Sequence, residues 1–202
     1  MTDYFYTAEK MSEGFYSSKG SRFYSFLYPV RDTESIRYIL EDIKKRHHSA
    51  HHYVYAWVLG DDSGKYRAYD DGEPSNSSGM PVLGQIRANS LTDVVIVVVR
   101  YFGGTKLGIP GLVKAYKTAA REAINNAVIV RKVIESIFRI DFDYAEQGFV
   151  NSIFNDFDPD IKDRRFTDRC RIIFGVKRSE AKIIEDMISR NHRIAISRLD
   201  KL

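Results

Sequence analysis

The stretch VVIVVVRYFGGTKLGIPGLVKAY, residues 94–116, decides the fold because it joins three different patterns. Positions 94–99 are apolar throughout, which is typical of a central strand that is buried on both faces. A glycine-rich loop follows at 103–111. After the loop, helical spacing places on one face Leu112, Val113, Tyr116, Ala120 and Ile124. We therefore predict a buried strand, a glycine loop and a helix with one buried face.

The glycine loop has the layout of a phosphate site, but its spacing matches no nucleotide motif. Its glycines are Gly103, Gly104, Gly108 and Gly111. They fit neither the G-x-x-x-x-G-K-[ST] pattern of a Walker loop nor the G-x-G-x-x-G pattern of a dinucleotide site. A general anion site remains, in which Lys106 supplies charge and a helix beginning near Ile109 or Pro110 offers unpaired N–H groups. The alternative is that the glycines only make a tight connection from strand to helix.

Positive charge is concentrated in the first part of the chain and around this loop. The net charge is +4; residues 1–132 contain 18 Lys and Arg against 14 Asp and Glu, and residues 133–202 contain 13 of each kind. No acid occurs from residue 94 to residue 121, and this stretch contains Arg100, Lys106, Lys114, Lys117 and Arg121. The last three, at i, i+3 and i+7, form a basic stripe on the helix. Such a stripe is typical of proteins that bind phosphodiester backbones, and a solvated helix face is the alternative.

The composition indicates a globular protein in a reducing compartment. The chain has 202 residues, 44% of them hydrophobic, which suffices for one large domain or two small ones. The start MTDYFYTAEK does not resemble a targeting segment, and the apolar run is far shorter than the ~20 residues of a membrane span. A single cysteine, Cys170, forms no internal disulfide, so we expect it to be buried. These features predict a cytoplasmic protein without a membrane partner.

The first part of the chain alternates strands and helices. Residues 3–30 read as strands interrupted by the turn SSKGS. A helix capped by Asp32 or Thr33 follows, with one face formed by Ile36, Ile39, Leu40 and Ile43. The segments HHYVYAWVL and KYRAYD flank the hairpin loop GDDSG. Pro81 is expected in the first turn of a short helix that carries Val82, Leu83 and Ile86.

From about residue 133 the pattern changes to strand, helix, strand, strand, helix, strand. This βαββαβ order is that of a ferredoxin-like arrangement. We expect Ser179 to cap the second helix, whose core face is formed by Ile183, Ile184, Met187 and Ile188. The change of pattern predicts two domains, 1–132 and 133–202, with separate hydrophobic cores.

Two further groups of residues are candidates for catalytic or metal chemistry. The acidic turn with Asp70, Asp71 and Glu73 could supply Mg²⁺ ligands, or its carboxylates could bond to their own turn backbone. Four histidines occur close together, at His47, His48, His51 and His52. Strand alternation would send the last two to opposite faces, so we predict no metal site. A triad of Ser75, Ser77 or Ser78 with a histidine and Asp70 lacks the G-x-S-x-G motif.

Four motifs of the chain closely resemble the YigZ/IMPACT family. They are GSRF at 20–23, HHYVYAW at 51–57, DDGEPSNSSGMPVL at 70–83 and VVVRYFGGTKLGIPGLVKAY at 97–116. The residues that carry the resemblance include Arg22, His51, His52, Asp70, Asp71, Gly72, Glu73, Pro74, Ser75, Tyr101 and Phe102. The resemblance implies that 1–132 is an α/β sandwich similar to domain IV of elongation factor G, and that 133–202 is ferredoxin-like. The loops depart from the family at 76–78 and at Ile109-Pro110, where Pro110 removes one N–H from the anion site.

The resemblance also implies a role in translation. Binding of RNA or ribosomes is suggested for bacterial members, and eukaryotic members regulate translation with an additional N-terminal domain. Because the motifs begin near residue 20, no such domain is expected in this chain. A protein partner in translation control is a further expectation.

These observations lead to one hypothesis and one rival. The hypothesis is a two-domain α+β protein that binds RNA without a cofactor or metal and without catalysis. Its nucleic-acid or anion site comprises Arg100, Gly103, Gly104, Lys106, Gly108, Gly111, Lys114, Lys117 and Arg121. The rival is a hydrolase or nucleotide-dependent transferase in which Asp70, Asp71 and Glu73 face the glycine loop across a cleft. Convergence of these carboxylates with Lys106 in a closed pocket favours the enzyme, and an open basic face along Arg100 and the stripe favours RNA.

Overall fold

The computed structural model describes residues 2–61 and 63–199, which form two compact units. The first unit is Phe5–Lys132, and the second combines Met1–Tyr4 with Val133–Leu202. Residues up to Tyr4 therefore group with the second unit, although sequence analysis assigns them to the first domain. No helix among the described residues is long and apolar enough to cross a membrane. That the two regions fold as separate domains stays a prediction.

A five-stranded antiparallel sheet forms the centre of the first unit. The strands of this part of the chain are β1 Tyr4–Ala8, β2 Ser12–Ser18, β3 Ser21–Pro29, β4 His52–Leu59, β5 Lys65–Tyr69, β6 Val94–Tyr101 and β7 Ile129–Val133. The helices are α1 Thr33–Arg46, α2 Gly79–Ala88 and α3 Gly108–Asn125. The sheet order is β2-β3-β6-β4-β5. The predicted central strand is thus confirmed as β6.

Strand β6 is buried because both faces of the sheet are covered. Val94, Ile96 and Val98 belong to the core that includes α2 and α3 residues, whereas Val95, Val97 and Val99 belong to the core that includes α1 residues. This double burial explains why the strand shows no polar alternation.

The three helices of the first unit are fixed by polar contacts as well as by packing. Asp32 caps α1 by accepting a hydrogen bond from the Ser35 N–H at 2.7 Å. The Ser25 hydroxyl donates to the Ala119 carbonyl oxygen of α3 at 2.6 Å. Helix α2 begins at Gly79, two residues before the predicted Pro81, because the Asp70 carboxylate accepts the Gly79 N–H at 2.8 Å.

One strand and one buried position of the first unit escaped the sequence patterns. Among the described residues, strand β7 pairs only with β1, and most of its side chains are exposed, so it lacks the alternation of a half-buried strand. In α3, Val113 is only half-buried, and Ala115 is buried instead.

The second unit contains a four-stranded antiparallel sheet with two helices. Its elements are β8 Glu135–Phe142, a 3₁₀ turn at Tyr144–Glu146, α4 Gln147–Phe157, β9 Asp160–Phe166, β10 Cys170–Lys177, α5 Ala181–Ser189 and β11 Ala195–Leu199. The strand order is β11-β8-β10-β9. This is the predicted βαββαβ order, and Cys170 is buried as expected. Similarity to domains of elongation factor G stays a prediction for both units.

Two predictions for α5 are wrong. Ser179 does not cap the helix, which begins at Ala181; its N–H and hydroxyl donate to the Asp3 carboxylate at 2.9 and 2.6 Å. Ile183 is 53% exposed, whereas Ile184 and Ile188 are buried. The core face of α5 is therefore narrower than the sequence pattern indicates, since the position preceding Ile184 is rotated by about 100° around the helix.

Candidate nucleic-acid interface

A cavity of about 490 Å³ lies in the first unit between the turn after β5 and the loop before α3. It is lined by His51, His52, Glu73, Pro74, Arg100, Phe102, Lys106, Leu107, Gly108, Ile109 and Leu112. The acidic turn and the glycine loop, 33 positions apart between Glu73 and Lys106 in the sequence, thus contribute to one site. The cavity has polar groups from both motifs and an apolar wall.

The glycines of the loop are required by the backbone itself. A Cβ at Gly103 would overlap the backbone of Gly20 and Ser21, and the Gly103 N–H donates to the Ser21 hydroxyl oxygen at 3.1 Å. Gly104 and Gly108 have φ values of +83° and +73°, which favour glycine. The tight-connection interpretation therefore accounts for three of the four glycines. Of these, only Gly108 also lines the cavity.

A buried ion pair forms the polar part of the cavity. Arg100 Nη1 donates to Glu73 Oε1 at 2.5 Å, and the two side chains are only 5% and 4% exposed. The Arg100 guanidinium also lies over the rings of Phe23 and Phe102, 5.5 Å from each centroid. Arg100 therefore does not belong to an open basic face, contrary to the sequence-based expectation. Its position at the end of a fully apolar strand leaves its charge buried, and Glu73 neutralises it.

Tyr116 of α3 completes this buried network. Its hydroxyl donates to Glu73 Oε1 at 2.6 Å. Burial and the hydrogen bond to Glu73 raise the pKa of Tyr116 far above its ordinary value, so the hydroxyl keeps its proton and acts as a donor. The helical pattern predicts Tyr116 on the core face of α3 but does not indicate this role.

His51 and His52 both line the cavity, so the expectation that strand alternation sends them to opposite faces is wrong, because β4 begins only at His52. Both rings are oriented by backbone groups. His52 Nδ1 lies 2.8 Å from the Asp71 carbonyl oxygen, so this nitrogen donates, and Nε2 lies 3.8 Å from Glu73 Oε1. His51 Nδ1 accepts the Phe102 N–H at 3.3 Å. His47 lies elsewhere, with Nδ1 3.0 Å from the Tyr101 hydroxyl. Within residues 2–61 and 63–199, no three His, Cys, Asp or Glu side chains are grouped as metal ligands.

The other carboxylates of the acidic turn bond to their own surroundings. Asp70 accepts the Ser78 hydroxyl at 2.6 Å and the N–H groups of Asn76, Ser78 and Gly79. Burial alone would raise the pKa of Asp70, but these hydrogen bonds lower it by more, and the net shift is downward. Asp71 accepts the Tyr53 N–H at 2.6 Å. Only Glu73 of the three carboxylates lines the cavity, so the convergence with Lys106 that would favour the rival enzyme is partial.

The serine candidates make local contacts too. The Ser78 hydroxyl donates to Asp70, and the Ser77 hydroxyl donates to the Pro74 carbonyl oxygen at 2.6 Å. Ser75 is exposed, as is Pro74 beside it. These bonds tie Ser77 and Ser78 to the turn and not to a histidine.

The basic stripe lies on the exposed side of α3. Lys114, Lys117 and Arg121 are exposed, and so is Lys106 in the loop. Within the described part of the chain, Lys106, Lys114 and Lys117 have no carboxylate at ion-pair distance, and Arg121 lies 3.9 Å from Glu122. Arg22 lies over the Tyr101 ring at 5.3 Å and lines a different, smaller cavity. The basic surface thus comprises Lys106 and the stripe.

Comparison with known proteins identifies the family. Residues 19–124, about half of the chain, match the Impact N-terminal domain. The chain belongs to the IMPACT family. It is 33% identical to IMPACT family member YvyE of Bacillus subtilis over 148 residues, which cover 73% of this chain and 68% of that relative. It is 32% identical to an IMPACT family member of Haemophilus influenzae over 160 residues, 78% of each chain.

The family match contains the whole candidate site. Every residue that lines the large cavity, and every residue of the basic stripe, lies within the Impact N-terminal domain. The chain is also similar to the crystal structure of a hypothetical protein. The alignment covers 100% of this chain and 99% of that protein's chain, with a TM-score of 0.70 at 23% sequence identity. This similarity confirms the predicted mixed α/β fold, and the family matches confirm the predicted IMPACT assignment.

Proposed function

We propose that this IMPACT family protein binds RNA without catalysis, through Lys106 and the basic stripe of α3, in a role connected with translation in the cytoplasm. The observation that carries the proposal is the exposure of Lys106, Lys114 and Lys117 without a neutralising carboxylate among the described residues. The sequence around them contains no acid from residue 94 to residue 121. Free RNA or ribosomal RNA is the expected partner.

The physical basis is the release of counterions. Clustered cations that contact phosphates displace the ions condensed on the nucleic acid, and affinity then depends on salt. Cations already paired with carboxylates gain less from such a contact. Leu112 and Tyr116 hold the opposite face of α3 in the core, so the helix presents the stripe on a rigid support.

Anisotropy of a fluorescent single-stranded RNA at several salt concentrations tests this proposal. Lys114→Ala and Lys117→Ala should each weaken binding similarly across RNA sequences and make the log–log salt dependence shallower by about 0.7. Lys106→Ala should weaken RNA binding more than either of these substitutions, because the Lys106 ammonium and the N–H groups at the start of α3 act on the same phosphate.

The matched control is Lys182→Ala in the second unit, where Lys182 is paired with Asp186 at 2.7 Å. This variant should bind RNA as the original chain does. An unchanged salt slope in all three variants of the first unit would contradict the proposal.

A second candidate function is an enzyme that acts on nucleotides or RNA. The specific observation is that Glu73, His52 and Lys106 line one cavity, where the imidazole could transfer a proton and the ammonium could contact an anion. A hydrolase or transferase of this kind should release a product from RNA or from a nucleotide. The activity should disappear in His52→Ala with the fold intact, and absence of any product in the original chain would reject this candidate.

A further inference from the structure

We propose that the cavity takes up one unpaired nucleotide of the bound RNA, with the base inside and the phosphate at the rim beside Lys106. This inference rests on the proposed RNA binding and specifies the form of RNA that the site prefers. In this proposal the cavity binds a single nucleotide, whereas the stripe contacts the phosphodiester backbone. The cavity volume of about 490 Å³ falls within the range of small-molecule sites.

The polar part of the cavity retains hydrogen-bonding capacity. Every hydrogen bond that the Glu73 carboxylate accepts from a described residue goes to Oε1, which leaves Oε2 as an acceptor. Arg100 uses Nη1 for this contact, and its buried Nε has no partner among the residues that the structure describes. Glu73 lines the cavity and its Oε2 accepts no hydrogen bond from a described residue, so a donor on a ligand can bond to it there. The edge of a nucleobase offers donors and acceptors side by side.

The apolar wall of the cavity suits the face of a base. Leu107, Ile109 and Leu112 line it together with Phe102, whose ring is 41% exposed. Aromatic side chains at such positions stack on unpaired bases, and this mode requires a single strand because paired bases are stacked on one another. The Phe102 ring contacts the Arg100 guanidinium, 5.5 Å from its centroid, and the edge of the His51 ring at a centroid distance of 6.3 Å, and much of it remains exposed.

The distribution of charge determines the orientation of the nucleotide. Inside, the Arg100–Glu73 pair is neutral overall, and a phosphate placed there would meet the Glu73 carboxylate. At the rim, Lys106 adds positive charge, and α3 begins at Gly108 and Ile109 without a side-chain cap. Uncapped N–H groups at the start of an 18-residue helix favour an anion. The phosphate therefore lies at the rim and the base inside.

The test compares two RNAs and two phenylalanine variants of the full chain. A single-stranded RNA decamer and a blunt RNA duplex are each titrated and followed by fluorescence anisotropy. Phe102→Ala should weaken binding of the single strand about tenfold and leave duplex binding within twofold. Phe15→Ala, the matched control, removes a ring that is 49% exposed and lies outside the cavity, and it should change neither affinity.

A 2-aminopurine base in the decamer gives a second readout that does not depend on affinity. Its fluorescence should fall on binding to the original chain and recover in Phe102→Ala. Single-strand binding of Phe102→Ala equal to that of the original chain, or an equal loss on both RNAs, would overturn the inference. The RNA-binding proposal would survive that result if Lys114→Ala and Lys117→Ala still weaken binding, and it would fail separately if they do not.

Discussion

The two units differ in what their cations contact. Among the described residues of the second unit, the basic side chains paired with carboxylates include Arg139, Lys162, Arg165, Arg169, Arg171, Lys177, Lys182 and Arg193. In the first unit, Lys106, Lys114 and Lys117 have no such partner in the described part of the chain. A surface whose charges are paired presents little net field to a polyanion. If the protein binds RNA as proposed, local pairing, more than the number of cations, favours a binding surface in the first unit.

The ion pairs of the two units also differ in how deeply they are buried. The Arg100 and Glu73 side chains are almost fully buried, whereas the Arg165–Asp163 pair joins side chains that are 70% and 40% exposed. Surface pairs contribute little to stability because water and salt screen them. Breaking a buried pair is costly because one charge remains buried without a partner.

The largest expected effect is therefore that of Glu73→Ala. We expect it to lower the free energy of unfolding of the first unit by about 3–5 kcal/mol, because Arg100 loses its counter-charge. Asp163→Ala, which removes the exposed pair with Arg165 in the second unit, should cost less than about 1 kcal/mol. Urea unfolding followed by the fluorescence of Trp57 reports on the first unit, and circular dichroism reports on the whole chain. Equal losses in the two variants would show that burial does not separate the two pairs.

A smaller effect is expected for Asp70→Asn. The substitution weakens the bonds to the start of α2, and we expect a loss of about 1–2 kcal/mol at neutral pH. Because the pKa of folded Asp70 lies below its ordinary value of about 3.9, its contribution is complete well above that pH and is lost as the pH falls through the folded pKa. The difference between the original chain and Asp70→Asn should thus shrink below about pH 4.

Urea unfolding from pH 7 to pH 3 measures this difference. Asp168→Asn, at an exposed position of the second unit, serves as the control for the substitution itself. A difference between Asp70→Asn and the original chain that stays constant down to pH 3 would contradict the assigned hydrogen bonds.

The smallest effect is expected for Lys182→Ala. Its side chain is 80% exposed, and its pair with Asp186 spans one helical turn at the surface. We expect no measurable change in the urea midpoint, because solvent screens this pair. A clear shift would mean that the charge pairs of the second unit stabilise the fold, and the contrast between the units would then be weaker.

Several elements could be predicted because their signal is local. The central strand β6 is apolar at every position up to Arg100, and α1 carries both its cap and its apolar face within 16 residues. Strand β7 gave no such signal, since it pairs with β1 and is exposed along most of its length. The contact of Ser179 with Asp3 joins residues 176 positions apart and could not be read from local spacing.

The candidate site was only partly predictable for the same reason. The motifs identified Glu73, Lys106 and the histidines, but their convergence depends on how β5 and α3 are placed by the sheet. The Arg100–Glu73 pair joins positions 27 residues apart. One feature of the sequence indicates this pair. An arginine that continues a fully buried strand requires an acidic partner, and Glu73 is among the acids of the family motif at 70–83.

Crosslinking tests the central claim most directly. The full chain is irradiated with a generic single-stranded RNA, and the peptides that carry nucleotides are identified by mass spectrometry. If the unpaired cations of the first unit bind the RNA, the crosslinked peptides should come from residues 100–125, and they should disappear in the Lys106→Ala/Lys114→Ala/Lys117→Ala variant. Crosslinks confined to residues 133–199, or crosslinks that this variant leaves unchanged, would contradict the account.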